Sequence, residues 1–191
     1  MRKFLSVTVA LFVIVLLSSC DVKDKIKEAV ISHEASKELE PRAGDTHTYK
    51  RLCELTEERS LEVLECFNKH DKESLMEMFA PAISSNYSLS EQIDKVFEIY
   101  DSKSVKYERL SAEESSTGKK DGVYYLREYR GAILDIELEN EEMFNLIIYM
   151  CYVDDKNPDM IGIKKIYLKD DEDCNLRIIG SYNNDEEELA E

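Results

Sequence analysis

The run Gly131-Ala132-Ile133-Leu134-Asp135-Ile136-Glu137-Leu138-Glu139 decides the fold class. Ala132, Leu134, Ile136 and Leu138 fall on one side of a period of two, and Asp135, Glu137 and Glu139 on the other. That is the pattern of a strand with one face in a core and one in water. It ends a long stretch, Val123 to Glu139, with Gly131 as the expected bulge where the alternation slips. Glu139-Asn140-Glu141 reads as a hairpin turn, and Met143 to Val153 is almost continuously apolar, as a central strand would be. Asp154 to Asp159 is a second turn, Ile161 to Lys169 another strand, and Leu176 to Ile179 a short edge strand after the acidic turn Asp170 to Asp173. Upstream, Lys119-Lys120-Asp121-Gly122 is a turn, and Val105 and Tyr107 suggest a first strand.

Before residue 101 the period is helical. Leu52, Leu55, Leu61, Leu64 and Phe67 fit one stripe that ends near Asn68-Lys69-His70. Asp71 is placed to cap a second helix burying Leu75, Met76, Met78 and Phe79. Ala80 to Tyr87, containing Pro81, reads as a loop. Ser88 and Glu91 have capping-box spacing, and Leu89, Ile93, Val96, Phe97 and Tyr100 then mark one face of a third helix. Helices first and strands after give an α+β fold, with N-terminal helices packed on an antiparallel sheet of three to five strands.

The N-terminus carries the most specific motif. Arg2 and Lys3 precede the apolar run Phe4 to Leu17, which is too short to span a bilayer but suits an export signal over residues 1–19. It ends in Leu17-Ser18-Ser19-Cys20, which resembles the bacterial lipobox. The resemblance implies a diacylglyceryl group on the Cys20 sulfur, cleavage before it, and a palmitate-type anchor on the extracytoplasmic face of the cell membrane. Residues 20–50 then form a near-neutral stalk, with six basic and seven acidic residues. Val22, Ile26 and Val30 suggest a weak helix there, broken at Glu40-Pro41-Arg42-Ala43-Gly44-Asp45. The domain is expected over residues 51–182 and an acidic tail over 183–191.

Composition excludes several functions. Apolar residues are 43% of the chain, enough for a packed core. The net charge is −16, from 25 Lys and Arg against 41 Asp and Glu. Such a surface repels phosphate backbones, so nucleic acid is excluded as a partner. His33 and His47 lie in the stalk segment, which leaves His70 as the domain's one histidine, too few for a histidine-based zinc site. No glycine-rich phosphate loop is present. Asp155-Lys156-Asn157-Pro158-Asp159 and Asp171-Glu172-Asp173-Cys174-Asn175 begin like calcium loops, but Met160 and Leu176 replace the sixth-position glycine and Ile166 and Tyr182 the twelfth-position glutamate. Both are read as solvated turns, and neither a metal nor a cofactor is expected.

Cys53, Cys66, Cys151 and Cys174 remain besides Cys20. On one helix Cys53 and Cys66 would be about 20 Å apart, too far for a disulfide. Eleven Tyr stand against no Trp, and eight of them follow residue 101. That enrichment fits strand propensity, or a tyrosine-lined pocket or glycan-contacting surface.

The run from Leu61 to Phe79 resembles the opening helix pair of the nuclear transport factor 2-like (cystatin-like) superfamily, in which a curved sheet wraps helices into a cone. Asn157-Pro158-Asp159 followed by Ile161-Gly162-Ile163 is similar to bacterial lipoproteins of unknown function with that domain. The resemblance implies fold and transfers no catalytic residue. Within such a cone, Tyr107, Met150 and Tyr152 are the pocket candidates. The expected function is non-enzymatic binding of a small apolar ligand or a protein at the envelope. The alternative is a hydrolase or isomerase using a pocket carboxylate such as Asp135. A cavity between the helices and the sheet bordered by Tyr107 or Tyr152 would favour small-molecule binding, a domain packed solid there would favour a protein partner on the acidic surface, and Asp135 or Glu137 buried without a cation would favour the enzyme.

Overall fold

The computed structural model describes residues 46–170 and 176–180. The expected export signal, Cys20, most of the stalk, the acidic turn after Asp170 and the tail lie outside the described residues. Among those described, no helix is long and apolar enough to cross a membrane.

Among the described residues four α-helices come first: α1 (Thr46–Lys69), α2 (Lys72–Met78), α3 (Pro81–Ser84) and α4 (Leu89–Ile99). Six strands follow: β1 (Ser104–Lys106), β2 (Arg109–Lys120), β3 (Val123–Leu138), β4 (Met143–Asp154), β5 (Gly162–Asp170) and β6 (Leu176–Ile179). They form one antiparallel sheet in the order β1-β3-β4-β5-β6, and β2 pairs with the first three-quarters of β3, Val123 to Leu134. The α+β class therefore stands, in an arrangement compatible with a cone.

The helices are cut by recognisable local chemistry. His70 closes α1 in the left-handed region at φ 51°, its ring 5.1 Å from that of Phe97. Asp71 caps α2 by accepting from the Ser74 N–H at 3.0 Å. This charged cap holds the Asp71 carboxyl below its ordinary range. Two expectations fail here. Residues 81–84 form a helical turn instead of a loop, because proline at the first position has its φ already set for a helix. The Ser88 capping box does not form. Ser88 Oγ donates to Asn86 Oδ1 at 3.0 Å, and Ser88 itself sits in helical φ/ψ.

The α1 stripe also differs from the expected one. Leu61 is exposed, and the face toward the sheet is Leu52, Thr56, Ser60, Val63 and Phe67. Thr56 and Ser60 are fully buried because each hydroxyl donates back to the carbonyl four residues earlier, at 2.7 Å. Their small size matters. A Cβ on Gly131 would overlap Ser60 Oγ and stand 3.2 Å from Thr56 Cγ2. Gly131 is thus the point where α1 crosses β3, and it is not the bulge.

The bulge lies at Leu134-Asp135. Ile133 opposes Leu146 and Ile136 opposes Phe144, so β3 carries one extra residue. Asp135 absorbs it at φ 56°, its N–H donating to Asn145 Oδ1 at 3.0 Å. The slip returns Ile136 and Leu138 to the helix side after Gly131 and Ile133, and leaves Ala132 and Leu134 on the other face. The core is Phe67, Leu75, Ile93 and Phe97 from the helices against Ile133, Ile136, Phe144, Leu146, Ile148 and Ile166 from the sheet. Phe67 meets Phe97 and Tyr100 edge-on, at 5.5 and 5.2 Å between centroids.

β2 was not foreseen as a strand. Apart from Leu110, its residues Arg109-Leu110-Ser111-Ala112-Glu113-Glu114-Ser115-Ser116-Thr117-Gly118-Lys119-Lys120 are small or polar, and its ladder with β3 shifts register after Glu114 and again after Gly118. At the other end, Gly162 (φ 129°) allows the backbone of Ala80 to lie against β5. The Ala80 N–H donates to the Ile163 carbonyl at 2.9 Å.

Candidate functional site

Two polar, tyrosine-rich groups stand out, one on each face of the sheet. The first lies between the first half of α1 and strands β2 to β4. Arg127 is 4% exposed. Its Nε donates to Glu114 Oε1 at 3.1 Å and its Nη2 to the Tyr129 hydroxyl at 2.6 Å, while the guanidinium lies 4.5 Å from the Tyr124 ring centroid. The buried cation is thereby paired, hydrogen-bonded and stacked, which such a group requires. Tyr152 occupies an extra position on β4, between the pairs Arg127–Val153 and Glu128–Cys151. Its hydroxyl is 3.0 Å from Thr56 Oγ1 and 3.5 Å from Met150 Sδ, and its ring meets Tyr129 edge-on at 5.7 Å. Burial pushes the Tyr152 phenol up to about 12, and raises Tyr129 further. This cluster ties α1 to the sheet with its hydrogen bonds made internally.

The second group is a cleft of about 300 Å³ lined by Glu128, Tyr149, Met150, Lys164, Lys165 and Tyr167. Glu128, Tyr149, Lys165 and Tyr167 alternate with the core residues Tyr129, Ile148, Ile166 and Leu168, so they face away from the helices. The register puts Arg130, Tyr149 and Lys165 side by side on β3, β4 and β5. Tyr149 and Tyr167 stand at 76°, 5.6 Å apart. β5 bulges here, because Tyr149 opposes Lys165 while Met150 opposes Ile163. The extra residue is Lys164, so two consecutive lysines reach the same cleft. Lys164 Nζ pairs with Glu128 at 2.5 Å, and the Lys165 ammonium lies 5.8 Å from the Tyr167 centroid. Arg130 pairs with Glu113.

Of the three pocket candidates, Met150 is a core residue that also lines this cleft. Tyr152 and Tyr107 do not line it. Tyr107 lies between β1 and β2 and is 40% exposed. Reading the chain for pockets missed Tyr149, Tyr167 and the two lysines because only the helix side was considered. The alternation of Tyr149 with Ile148 and Met150 was the available signal.

The carboxylates singled out earlier sit elsewhere. Asp135 is half-buried at its bulge and outside the cleft, and Glu137 pairs with Lys106 at 2.7 Å. Asp154 accepts from the Lys156 and Asn157 N–H groups at 3.1 and 2.9 Å, which makes residues 154–157 a self-satisfied turn. Among the described residues no group of three or more His, Cys, Asp or Glu converges as metal ligands would. Cys53, Cys66 and Cys151 are free thiols, and the first two lie on one unbroken helix.

These features define an α+β domain with helices on one sheet face and a tyrosine-lysine cleft on the other. The chain belongs to the family described as domain of unknown function DUF5104, which it matches over residues 62–172. No curated protein matches it.

Proposed function

We propose that the protein is a lipid-anchored cell-envelope domain of the nuclear transport factor 2-like kind that binds a small molecule without turning it over. The cleft between Tyr149, Tyr167 and Lys165 carries the binding part of this reading. It is concave, has a few convergent polar groups, and is of a volume at the lower end of ligand sites, about 300–1,000 Å³. The anchoring part rests on Leu17-Ser18-Ser19-Cys20. The pocket-carboxylate alternative gains no support from Asp135, which the cleft does not include.

Both parts have direct tests. Cys20→Ser should abolish labelling with radioactive palmitate and release the protein from membranes; continued labelling with membrane retention refutes the anchor. In a thermal-shift screen of envelope small molecules, a ligand at a hundredfold its Kd stabilises by about 2.7 kcal/mol. Hits should raise the Tm of the full chain and leave a Tyr149→Ala/Tyr167→Ala variant unmoved. Hits that shift both equally place binding elsewhere.

A further inference from the structure

We infer that the tip of the β2–β3 hairpin is a second membrane contact, resting its tyrosines, Val123 and lysines on the headgroup layer of the bilayer that holds the anchor. This rests on the anchoring reading above and adds the surface of the domain that meets the lipid.

The first argument is shape. The ladder between β3 and β4 stops at Leu126 and Asp154, whereas that between β2 and β3 runs on to Lys120 and Val123. Residues 118–125 therefore project past β4 as a two-stranded finger. Asp121 and Gly122, at φ 52° and 85°, close it in the two-residue turn that suits a twisted hairpin. Tyr125 packs on Gly118, where a Cβ would overlap its ring, and its carbonyl accepts from the Asp155 N–H at 3.0 Å. The finger is thus braced from both sides, and Val123 at its end is 51% exposed.

The second argument is composition. The Lys119 ammonium lies 4.8 Å from the Tyr124 ring centroid, and that of Lys156 5.2 Å from the Tyr125 centroid. Among the described residues no carboxylate pairs with Lys119, Lys120 or Lys156. Asp121, Asp154 and Asp155 balance the three cations in number, so this end is neutral in a chain of −16. Anionic headgroups repel the rest of the acidic protein and meet no net charge here. Tyrosine rings beside lysines suit a bilayer interface, the rings at headgroup level and the ammonium groups reaching phosphate.

The third argument is position. α1 meets the sheet with Asn68 at Ser104, Ser60 at Gly131 and Tyr49 at Tyr129. Its first residue, Thr46, hence lies toward the half of β3 that carries the finger. Residues 21–45 link Thr46 to Cys20 and reach at most roughly 80 Å. A contact too weak to hold a free protein is sufficient at the local concentration such a tether gives.

The test uses the absence of tryptophan from the chain, which lets a single introduced one report its own surroundings. Val123→Trp and Val105→Trp place it at opposite ends of β3, at sites 51% and 55% exposed, so a tryptophan's own preference for the interface acts on both. Each full-length lipidated protein is incorporated into phosphatidylethanolamine–phosphatidylglycerol vesicles with and without lipid brominated on its acyl chains. The tryptophan at position 123 should be quenched by bromolipid at least roughly threefold more than that at position 105. Adding Lys119→Gln, Lys120→Gln and Lys156→Gln should cut this quenching by about half or more. Equal quenching at the two sites, or none at either in protein that floats with the vesicles, overturns the finger contact and leaves the anchor standing. Shielding of position 123 from aqueous iodide without quenching by bromolipid means that the finger docks on protein, and overturns the lipid assignment. Quenching that survives loss of all three lysines overturns their part in the contact. Protein that does not float with the vesicles overturns the inference together with the anchor beneath it.

Discussion

Replacing Gly131 by alanine tests how α1 rides on the sheet. The new methyl would overlap Ser60 Oγ and press on Thr56 Cγ2 at 3.2 Å and Ser60 Cβ at 3.4 Å. Both residues are fully buried on a 24-residue helix, so they cannot swing into solvent. Overpacking of this kind costs about 1–3 kcal/mol. Removing a glycine from a strand returns about 0.5–1 kcal/mol, so the net loss should be about 1–2 kcal/mol. Ser60→Ala alone removes the hydroxyl and its 2.7 Å bond to the Thr56 carbonyl, which keeps its helical partner; that should cost about 1 kcal/mol or less. In the double variant the 3.2 Å approach to Thr56 Cγ2 and the 3.4 Å approach to the residue-60 Cβ remain, and the closer one needs a shift of only a few tenths of an ångström. The pair should therefore be more stable than the sum of the singles by about 1 kcal/mol or more. Urea titration followed by far-ultraviolet circular dichroism, with unchanged m values, measures all three. If Gly131→Ala is as stable as the parent, or the double is additive within about 0.5 kcal/mol, α1 does not cross β3 at this point.

Two further outcomes are expected. Burial pushes the thiols of Cys66 and Cys151 from an ordinary value near 9 up to about 11. Between those values the unfolded chain loses these protons and the folded chain keeps them, so stability should be intact below pH 9 and fall as pH rises to about 11. The loss is about 2–3 kcal/mol per thiol; a Cys66→Ala/Cys151→Ala variant that declines as steeply over that range would refute the assignment. On α1, Leu61→Lys should change stability by less than about 0.5 kcal/mol, whereas Val63→Lys should cost several times more, because only Val63 faces the core. Equal urea midpoints for the two would contradict the helix orientation.

What the chain revealed before its structure was known follows from how strongly each element depends on its own residues. α2, α4, β4, β5 and β6 announce themselves because their apolar periods are strong and their boundaries are set locally, by Asp71 or by the 139–142 turn. β2 stayed hidden because it pairs through the backbone with β3 while presenting Ser, Glu, Thr and Gly, none of which marks a strand. Leu61 was misassigned because a leucine outweighs Thr56 and Ser60 in any apolar count; the helix face is set by the bare backbone of Gly131 opposite it. The bulge was placed at glycine for the same reason, whereas Asp135 adopts the required φ with Asn145 holding its N–H. The cleft was least legible. It depends on a register slip between β4 and β5 that no single segment encodes.

The edge of the sheet has a consequence for crowding. Among the described residues, β2 pairs with β3 alone, so twelve residues run along an open side of the sheet. A flat, apolar strand there would template edge-to-edge aggregation whenever copies were held close together. This one breaks register twice within its length, carries Glu113 and Lys119 on its exposed positions, and ends in a pair of lysines. The polar composition that concealed β2 in the sequence is what keeps neighbouring copies from zipping together at high local density.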